Sequence, residues 1–206
     1  RDLQLPVEMR SPKLRLRASF LSKQTLTAGE KPESLHEIVW TRLAISNDGE
    51  LSELLDALSN HSAASTILNI ATEEFHKTIR LAVDIGAIED DYDLANRDVP
   101  SVEYHIQNAC HEGLVLLAQL LTTVLPKAAK QSRKAALIAA SSWKTAPGLL
   151  GARLWLNAQR NTELFTADEA LTCLRDTSDD VFWDTNREVP LLIKERTSQA
   201  RDATIA

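Results

Sequence analysis

The sequence is short of glycine, proline and aromatic residues. Its 206 residues include 6 Gly and 7 Pro, and only 5% are aromatic. Sandwiches and barrels built from β-strands need many turns and many aromatic residues, so these low counts argue against them. Because 44% of the residues are hydrophobic and 25% are charged, the chain can bury a core, which excludes a disordered or collagen-like protein. The composition therefore favours a helical protein.

Cysteines and long apolar runs are also scarce. Cys110 and Cys173 are the only cysteines, too few for a disulfide framework. The sequence has no signal peptide and no run of 18 apolar residues that would cross a membrane. We therefore expect a soluble protein of the reducing cytoplasm that does not contact a membrane. Because the sequence starts with Arg1 instead of Met, we also expect it to be a piece of a longer protein.

Complete catalytic and metal-binding motifs are absent from the sequence. The glycines never form a GxGxxG or GxxxxGK phosphate loop, and there is no GxSxG elbow. The acidic stretch 89–98 lacks the spacing of an EF-hand loop: counted from Asp91, the sixth and twelfth positions are Asn96 and Val102, where Gly and Glu are required. We expect a solvated loop there, and no catalytic residue, metal or cofactor in this segment.

Charge is distributed very unevenly along the chain. Residues 1–23 carry a net charge of +4, residues 24–112 carry −12, and residues 163–206 carry −5. Between them, residues 113–162 contain no acid and carry +7. Such an acid-free block attracts negatively charged surfaces. Its candidate anion-binding residues are Lys127, Lys130, Arg133, Lys134, Lys144, Arg153 and Arg160.

Two partners for this basic block are compatible with the sequence. It can dock against the acidic part of its own chain or against a neighbouring domain, or it can contact the phosphates of a nucleic acid. The block lacks the interleaved aromatic residues of a single-strand platform and the spacing of a zinc finger. The acidic isoelectric point of about 5.4 also favours the first interpretation.

The first 34 residues differ in pattern from the remainder of the chain. Apolar and polar residues alternate over 13–20, which indicates one short strand or extended arm, and residues 22–34 are polar with Gly29 and Pro32, as in a linker. We therefore divide the chain into an arm and linker over 1–34 and a helical domain over 35–206.

Helical periodicity dominates from residue 35 onward. It predicts two helices within 35–58, a long helix over 63–85 ended by Gly86, and a fourth helix from a cap at Ser101 to Pro126. Further helices are predicted over 127–143, 149–161 and 187–198, with a capping box at 166–169.

The predicted fold is all-α, an irregular helical array or α-solenoid with a short extended N-terminal arm. A weak internal sequence similarity, in which Val39-Trp40 resembles Leu154-Trp155, supports a helical repeat. Three tryptophans next to apolar positions at helical spacing are predicted to anchor the core: Trp143, Trp155 and Trp183.

The densest polar cluster lies on the predicted fourth helix. His105, Cys110 and His111 do not form a zinc site there, because an HExxH motif needs a second histidine at position 115, where the chain has Val115. A hydrolase centred on His105 and His111 is the least favoured interpretation. We interpret the cluster as a structural hydrogen-bond network that holds the acidic loop and is formed by Ser101, His105, Gln107 and Asn108.

Two segments carry a resemblance to known proteins. Residues 98–108 (DVPSVEYHIQN) and 181–192 (VFWDTNREVPLL) resemble stretches in the helical, non-catalytic regions of very large bacterial defence-type proteins that carry sirtuin-like or nucleoside-triphosphatase domains. The resemblance implies a helical region outside the catalytic domain. The predicted function is a cytoplasmic scaffold or sensor module that contacts a protein or another domain of its own chain, with a nucleic-acid-binding domain using residues 127–160 as the alternative.

Overall fold

The computed structural model describes residues 13–17, 40–44, 63–89, 92–111, 113–185 and 187–200. The described residues are mainly helical, which confirms the predicted all-α class. The helices are α1 (Ala64–Asp84), α2 (Leu94–Arg97), α3 (Leu114–Gln131), α4 (Arg133–Trp143), α5 (Leu149–Ala158), α6 (Ala167–Arg175), α7 (Asp179–Asp184) and α8 (Glu188–Arg196). Short 3₁₀ turns cover Ile106–Cys110 and Thr197–Gln199.

The described residues also contain four short strands, of which β3 (Ile88–Glu89) and β4 (Tyr92–Asp93) pair antiparallel with each other. Strand β1 (Lys13–Arg17) pairs antiparallel with β2 (Trp40–Ala44), so that Lys13 lies opposite Ala44. The helix predicted over 35–45 is therefore wrong at 40–44, where β1 supplies the hydrogen-bond partner for a strand. The predicted helix at 51–58 lies outside the described residues. The boundary at residues 34 and 35 stays a prediction, and the β1–β2 pair spans it.

The two segments of this internal sequence similarity do not share one structure. Trp40 lies in strand β2, whereas Leu154 and Trp155 lie in helix α5. Two segments with different secondary structure cannot form equivalent units of a solenoid.

The long helix α1 forms almost as predicted and packs mainly on α3. Its buried stripe includes Ile67, Phe75 and Ile79, and Gly86 follows the helix with φ of 71°, a conformation that glycine adopts without strain. Helical periodicity also predicts that Val83 is buried, and this is wrong: Val83 is 41% exposed, and its neighbour Ala82 is buried.

The predicted fourth helix begins later and ends later than expected. Residues 101–105 form a loop, and α3 starts at Leu114 after Gly113, whose φ of 74° interrupts a right-handed helix. Pro126 does not end α3, because Ala128 and Ala129 beyond it are buried in the core and their packing offsets the cost of an interior proline. The break comes at Ser132, whose hydroxyl accepts a hydrogen bond from the Ala135 N–H at 3.3 Å and so caps α4.

The helix predicted over 127–143 is observed only from Arg133, because the residues before Ser132 belong to α3, whereas the helices predicted over 149–161 and 187–198 form as α5 and α8. Thr166 and Glu169 form the predicted capping box at the start of α6, and Pro190 falls in the first turn of α8.

The three tryptophans occupy different environments. Trp143 is fully buried, and its Nε1 donates to the Thr72 hydroxyl at 3.2 Å. Trp155 is half-buried with its ring edge-on to Phe165. The prediction for Trp183 is wrong, because its side chain is 73% exposed on the short helix α7, which has no buried residue.

Two apolar clusters form the core, and α5 contributes to both. Leu150 and Leu154 pack into the larger cluster with α1, α3 and α4, whereas Leu156 packs into a smaller cluster with α6 and α8. This shared position brings the end of α5 close to α8 and to the loop before α3. No helix in the described part of the chain is both long enough and apolar enough to span a membrane.

Candidate functional site

The side chain of Asn108, which is only 5% exposed, holds the loop between α2 and α3 in place. We call this segment the fastened loop. The Asn108 Oδ1 accepts from the Ser101 N–H at 3.1 Å, and its Nδ2 donates to the carbonyls of Ser101 and Glu103 at 2.9 and 2.8 Å. One side-chain amide thus satisfies three backbone groups of the loop. Such local side-chain bonds hold a loop in one conformation in place of regular structure.

The other members of the predicted polar cluster act locally. The Ser101 hydroxyl accepts from the Glu103 N–H at 3.3 Å and does not cap a helix. His105 is half-buried, and its Nδ1 accepts from the Gln107 N–H at 3.3 Å, which caps the 3₁₀ turn. The Gln107 side chain is exposed. The structure therefore brings Ser101 and Asn108 together and leaves His105 and Gln107 at the surface end of the loop.

Helix α3 holds the same loop from a second side. The Thr122 hydroxyl lies 2.9 Å from the carbonyl oxygen of Val102, which is fully buried. The loop is therefore attached both to itself and to the core helix behind it.

Arg153 on α5 is the strongest anchor of the loop, and its side chain is buried. Its guanidinium donates to the carbonyls of Val99 and Pro100 at 2.6 and 3.1 Å and to the Asn96 Oδ1 at 2.9 Å. It also forms a bidentate ion pair with the buried Glu188, in which the Nη2 and Nε of Arg153 donate to the two carboxylate oxygens at 3.0 and 3.2 Å. Every nitrogen of this guanidinium has a partner, so Arg153 cannot serve as an outside anion site without breaking this network.

Arg160 follows α5 and connects the loop to α8. It makes a two-point ion pair with Glu195 at 2.7 and 2.6 Å, and its Nη1 lies 2.7 Å from the Glu103 Oε1. Burial lowers the pKa of Arg160, but the hydrogen bonds to Glu195 and Glu103 outweigh that effect and raise its pKa above the usual value. The same bond from Arg160 lowers the pKa of Glu195.

The seven candidate anion-binding residues thus separate by type. Arg153 and Arg160 hold acidic residues of the chain itself, and Arg133 donates to the backbone carbonyls of Glu163 and Leu164 at 3.0 and 2.7 Å. The lysines make no ion pair with any residue that the structure describes. Lys127 is half-buried, and the exposed ones are Lys130, Lys134 and Lys144.

A groove of about 380 Å³ lies where α3, the end of α5, α8 and the fastened loop meet. Thr122, Leu125 and Pro126 line it from α3, with Lys130 one turn further on; the other lining residues include Glu103, Asn157, Arg160, Asn161, Glu163 and Glu195. The groove brings Glu103 of the loop together with Lys130 and Arg160 of the predicted basic block, and none of the four residues of the predicted polar cluster lines it.

Two large apolar side chains of the fastened loop are exposed. Tyr104 is 89% exposed and Ile106 is 79% exposed, and Tyr104 directly follows the groove residue Glu103. Exposed apolar side chains on rigid backbone are typical of protein contact surfaces. We call the groove together with Tyr104 and Ile106 the loop face.

A larger cavity of about 860 Å³ lies near the start of α5. Asp93 is one of its lining residues, and the carboxylate accepts from the Asn96 N–H and from the Leu149 N–H, both at 2.7 Å. It thereby caps α2 and α5, so the acidic stretch is more than the solvated loop that the sequence predicts. Gly148 has φ of 76°, and a Cβ there would lie 2.6 Å from the Asp93 Oδ2, so only glycine fits this contact.

The described residues contain one histidine–serine pair that resembles part of a catalytic dyad. The His76 Nε2 lies 2.9 Å from the Ser142 Oγ. That hydroxyl also lies 2.7 Å from the Ala139 carbonyl, a local bond that serine often makes within a helix, so the pair is explained as a structural contact between α1 and α4. His105 and His111 belong to no group of three potential metal ligands in the described part of the chain.

Comparison with known proteins gives one informative similarity. The chain is 30% identical over 204 residues to a protein of Sinorhizobium fredii (strain NBRC 101917 / NGR234) described as "Uncharacterized protein y4cA". The match covers 97% of this chain but only 16% of that relative's length. No family model and no solved structure matches the chain.

Proposed function

We propose that this chain is a non-catalytic interaction module of a longer bacterial cytoplasmic protein, and that its loop face docks onto another protein surface. That surface belongs to a different domain of the same longer chain or to a protein partner. The resemblance to bacterial defence-type proteins implies a scaffold or sensor role in such a system.

The exposure of Tyr104 and Ile106 on a fastened loop carries the proposal. Asn108, Thr122 and Arg153 hold the backbone of this loop at several points. A preorganised loop loses little conformational entropy on binding, so an exposed tyrosine and isoleucine there contribute more to affinity than on a mobile segment.

The length of the relative supports docking within a longer protein. The matched region is 16% of that protein, which leaves most of its chain to supply other domains. Contacts between domains of one chain resemble transient protein interfaces in size and polarity, and the loop face combines apolar and charged groups accordingly.

Site-specific photo-crosslinking in the full-length protein tests the proposal. A photoreactive amino acid replaces Tyr104, and the matched control carries it at Glu73, an exposed position of α1. We expect position 104 to form a discrete adduct with one identified peptide of another domain or protein, and Ile106→Ser to reduce its yield. Equal labelling from both positions, or no effect of Ile106→Ser, would refute the proposal.

The exposed lysines favour nucleic acid as the alternative partner. Lys130, Lys134 and Lys144 make no ion pair with a described residue, so they are available for phosphates. Affinity for DNA and RNA at two salt concentrations separates the two functions. A steep decrease with salt that is lost when all three lysines become Gln would establish the alternative.

A further inference from the structure

We infer that the groove of the loop face binds a short extended peptide segment by hydrogen bonds to its main chain. The inference rests on the proposed function, because it names the chemistry of the segment that a docking protein would insert.

Unpaired amide donors in the groove provide the first observation. Asn157 and Asn161 both line it, and the Nδ2 of each is buried without a hydrogen-bond partner among the described residues. Asn157 is only 8% exposed. A buried donor without an acceptor is unfavourable, so a ligand that brings a carbonyl oxygen is stabilised there.

The orientation of Asn161 shows which end of its amide is available. Its Oδ1 accepts from the Glu163 N–H at 2.9 Å, which leaves the NH₂ group as the free end. Because Asn161 lines the groove, this group is the donor that it can offer to a ligand there.

The charges around the groove favour a neutral ligand over an anion. The positively charged side chains of Lys130 and Arg160 line the groove. Three negatively charged carboxylates also line it, those of Glu103, Glu163 and Glu195. Both Glu103 and Glu195 pair with Arg160, and Glu163 balances Lys130. A free carboxylate or phosphate would gain little net attraction there.

A peptide main chain matches this lining in both of its polar groups. Its carbonyls can accept from Asn157 and Asn161, and its N–H groups can donate to the exposed Glu163 carboxylate. Leu125 and Pro126 on α3 supply an apolar wall for its side chains. Main-chain hydrogen bonds combined with apolar contacts are a common way to recognise extended peptides.

Nuclear magnetic resonance of the whole 206-residue chain tests the inference through the side-chain amide signals of Asn157 and Asn161. The probe is the neutral peptide N-acetyl-trialanine amide, with sodium acetate and inorganic phosphate as comparison ligands. We expect saturable shifts of both amides with the peptide only, and none for the exposed Asn69 on α1. An equal response to acetate or phosphate, or no response to the peptide, would overturn the inference.

Variants test whether the amide donors are responsible. Asn161→Asp keeps the shape but replaces a donor by an acceptor, and we expect it to weaken peptide binding about fivefold, the value of one hydrogen bond. Asn69→Asp is the matched control and should leave binding unchanged. If Asn161→Asp prevents folding, Asn157→Asp replaces it in the same measurement. A folded variant that binds the peptide as well as the original chain contradicts the inference.

The two proposals fail in distinguishable ways. If position 104 forms crosslinks but the amides of Asn157 and Asn161 do not respond to the peptide, the docking proposal stands and peptide binding in the groove is refuted. Amide responses without specific crosslinks would support the groove inference and refute the docking proposed at Tyr104.

Discussion

The two halves of the acid-free block, residues 113–162, place their positively charged side chains in different environments. On α3 and α4, Lys130 and Lys134 are exposed and pair with no described residue. On and after α5, Arg153 and Arg160 turn inward and hold carboxylates from distant parts of the chain. Both halves are positively charged, but the exposed charges are those of the lysines on α3 and α4.

The chemistry of the two side chains explains this difference. A guanidinium has five N–H donors in a fixed plane and can serve carbonyls and a carboxylate together, as Arg153 does. A lysine ammonium is strongly hydrated and is stable in water. Arginine in an acid-free segment is therefore a weaker sign of an external anion site than lysine. Variants at Arg153, Asn108 and Arg160 test this comparison.

The largest effect is expected when Arg153 is removed. Arg153→Met leaves the buried Glu188 without a partner and the carbonyls of Val99 and Pro100 without a donor, so we expect unfolding to become easier by about 3–5 kcal/mol. Urea denaturation measures the change. Lys134→Met, the control on the exposed half, should change stability by less than about 0.5 kcal/mol.

A double variant refines this test. Adding Glu188→Leu to Arg153→Met removes the unpaired charge and should recover part of the loss. Recovery should stay incomplete because the two loop carbonyls still lack their donor. A loss for Arg153→Met no larger than that for Lys134→Met would show that the two halves do not differ.

A smaller effect is expected at the loop that the arginines hold. Asn108→Ala removes three buried hydrogen bonds, so we expect a loss of about 1–3 kcal/mol and faster hydrogen exchange over residues 99–107. His105→Ala should cost less, because His105 is half-buried and makes one 3.3 Å bond. Equal effects of the two variants would place the anchor of the loop elsewhere.

The smallest effect is expected at Arg160, whose partner Glu195 is 42% exposed. Arg160→Gln should cost about 1 kcal/mol at neutral pH, the upper range for an exposed pair. Arg160 lowers the pKa of Glu195 below its ordinary value of 4.5, so this stabilisation is complete above that pH and is lost as the pH falls through the lowered pKa. Urea unfolding of both proteins at neutral and acidic pH should show the difference shrinking on acidification. A difference independent of pH would exclude Glu195 as the source.

Much of the fold could be predicted from local sequence. The apolar stripe of α1, the glycine after it and the capping box at Thr166 depend on residues within one or two turns, so the pattern alone specifies them. Predictions failed where a distant partner decides the structure, as in β2, which pairs with β1. They also failed at Pro126, where burial of the following turn overrides the usual helix stop.

The sequence identifies only some residues of the candidate site. The sequence singles out Asn108 and Arg160, but Asn157, Asn161 and Glu195 give no signal, because single polar residues in a predicted amphipathic helix are indistinguishable from its solvated face. Their meeting at one groove depends on how α3, α5 and α8 pack. Spacing along one helix cannot reveal a site assembled from three.

The all-α class, most helix positions and the concentration of positive charge in residues 113–162 follow from local periodicity and composition. Which of those charges are internal depends on how the helices pack. Arg153 lies inside because α5 packs between two apolar clusters and brings its guanidinium against Glu188 and the carbonyls of the loop. That outcome depends on contacts between residues 35 to 54 positions apart in the chain, which no local pattern encodes.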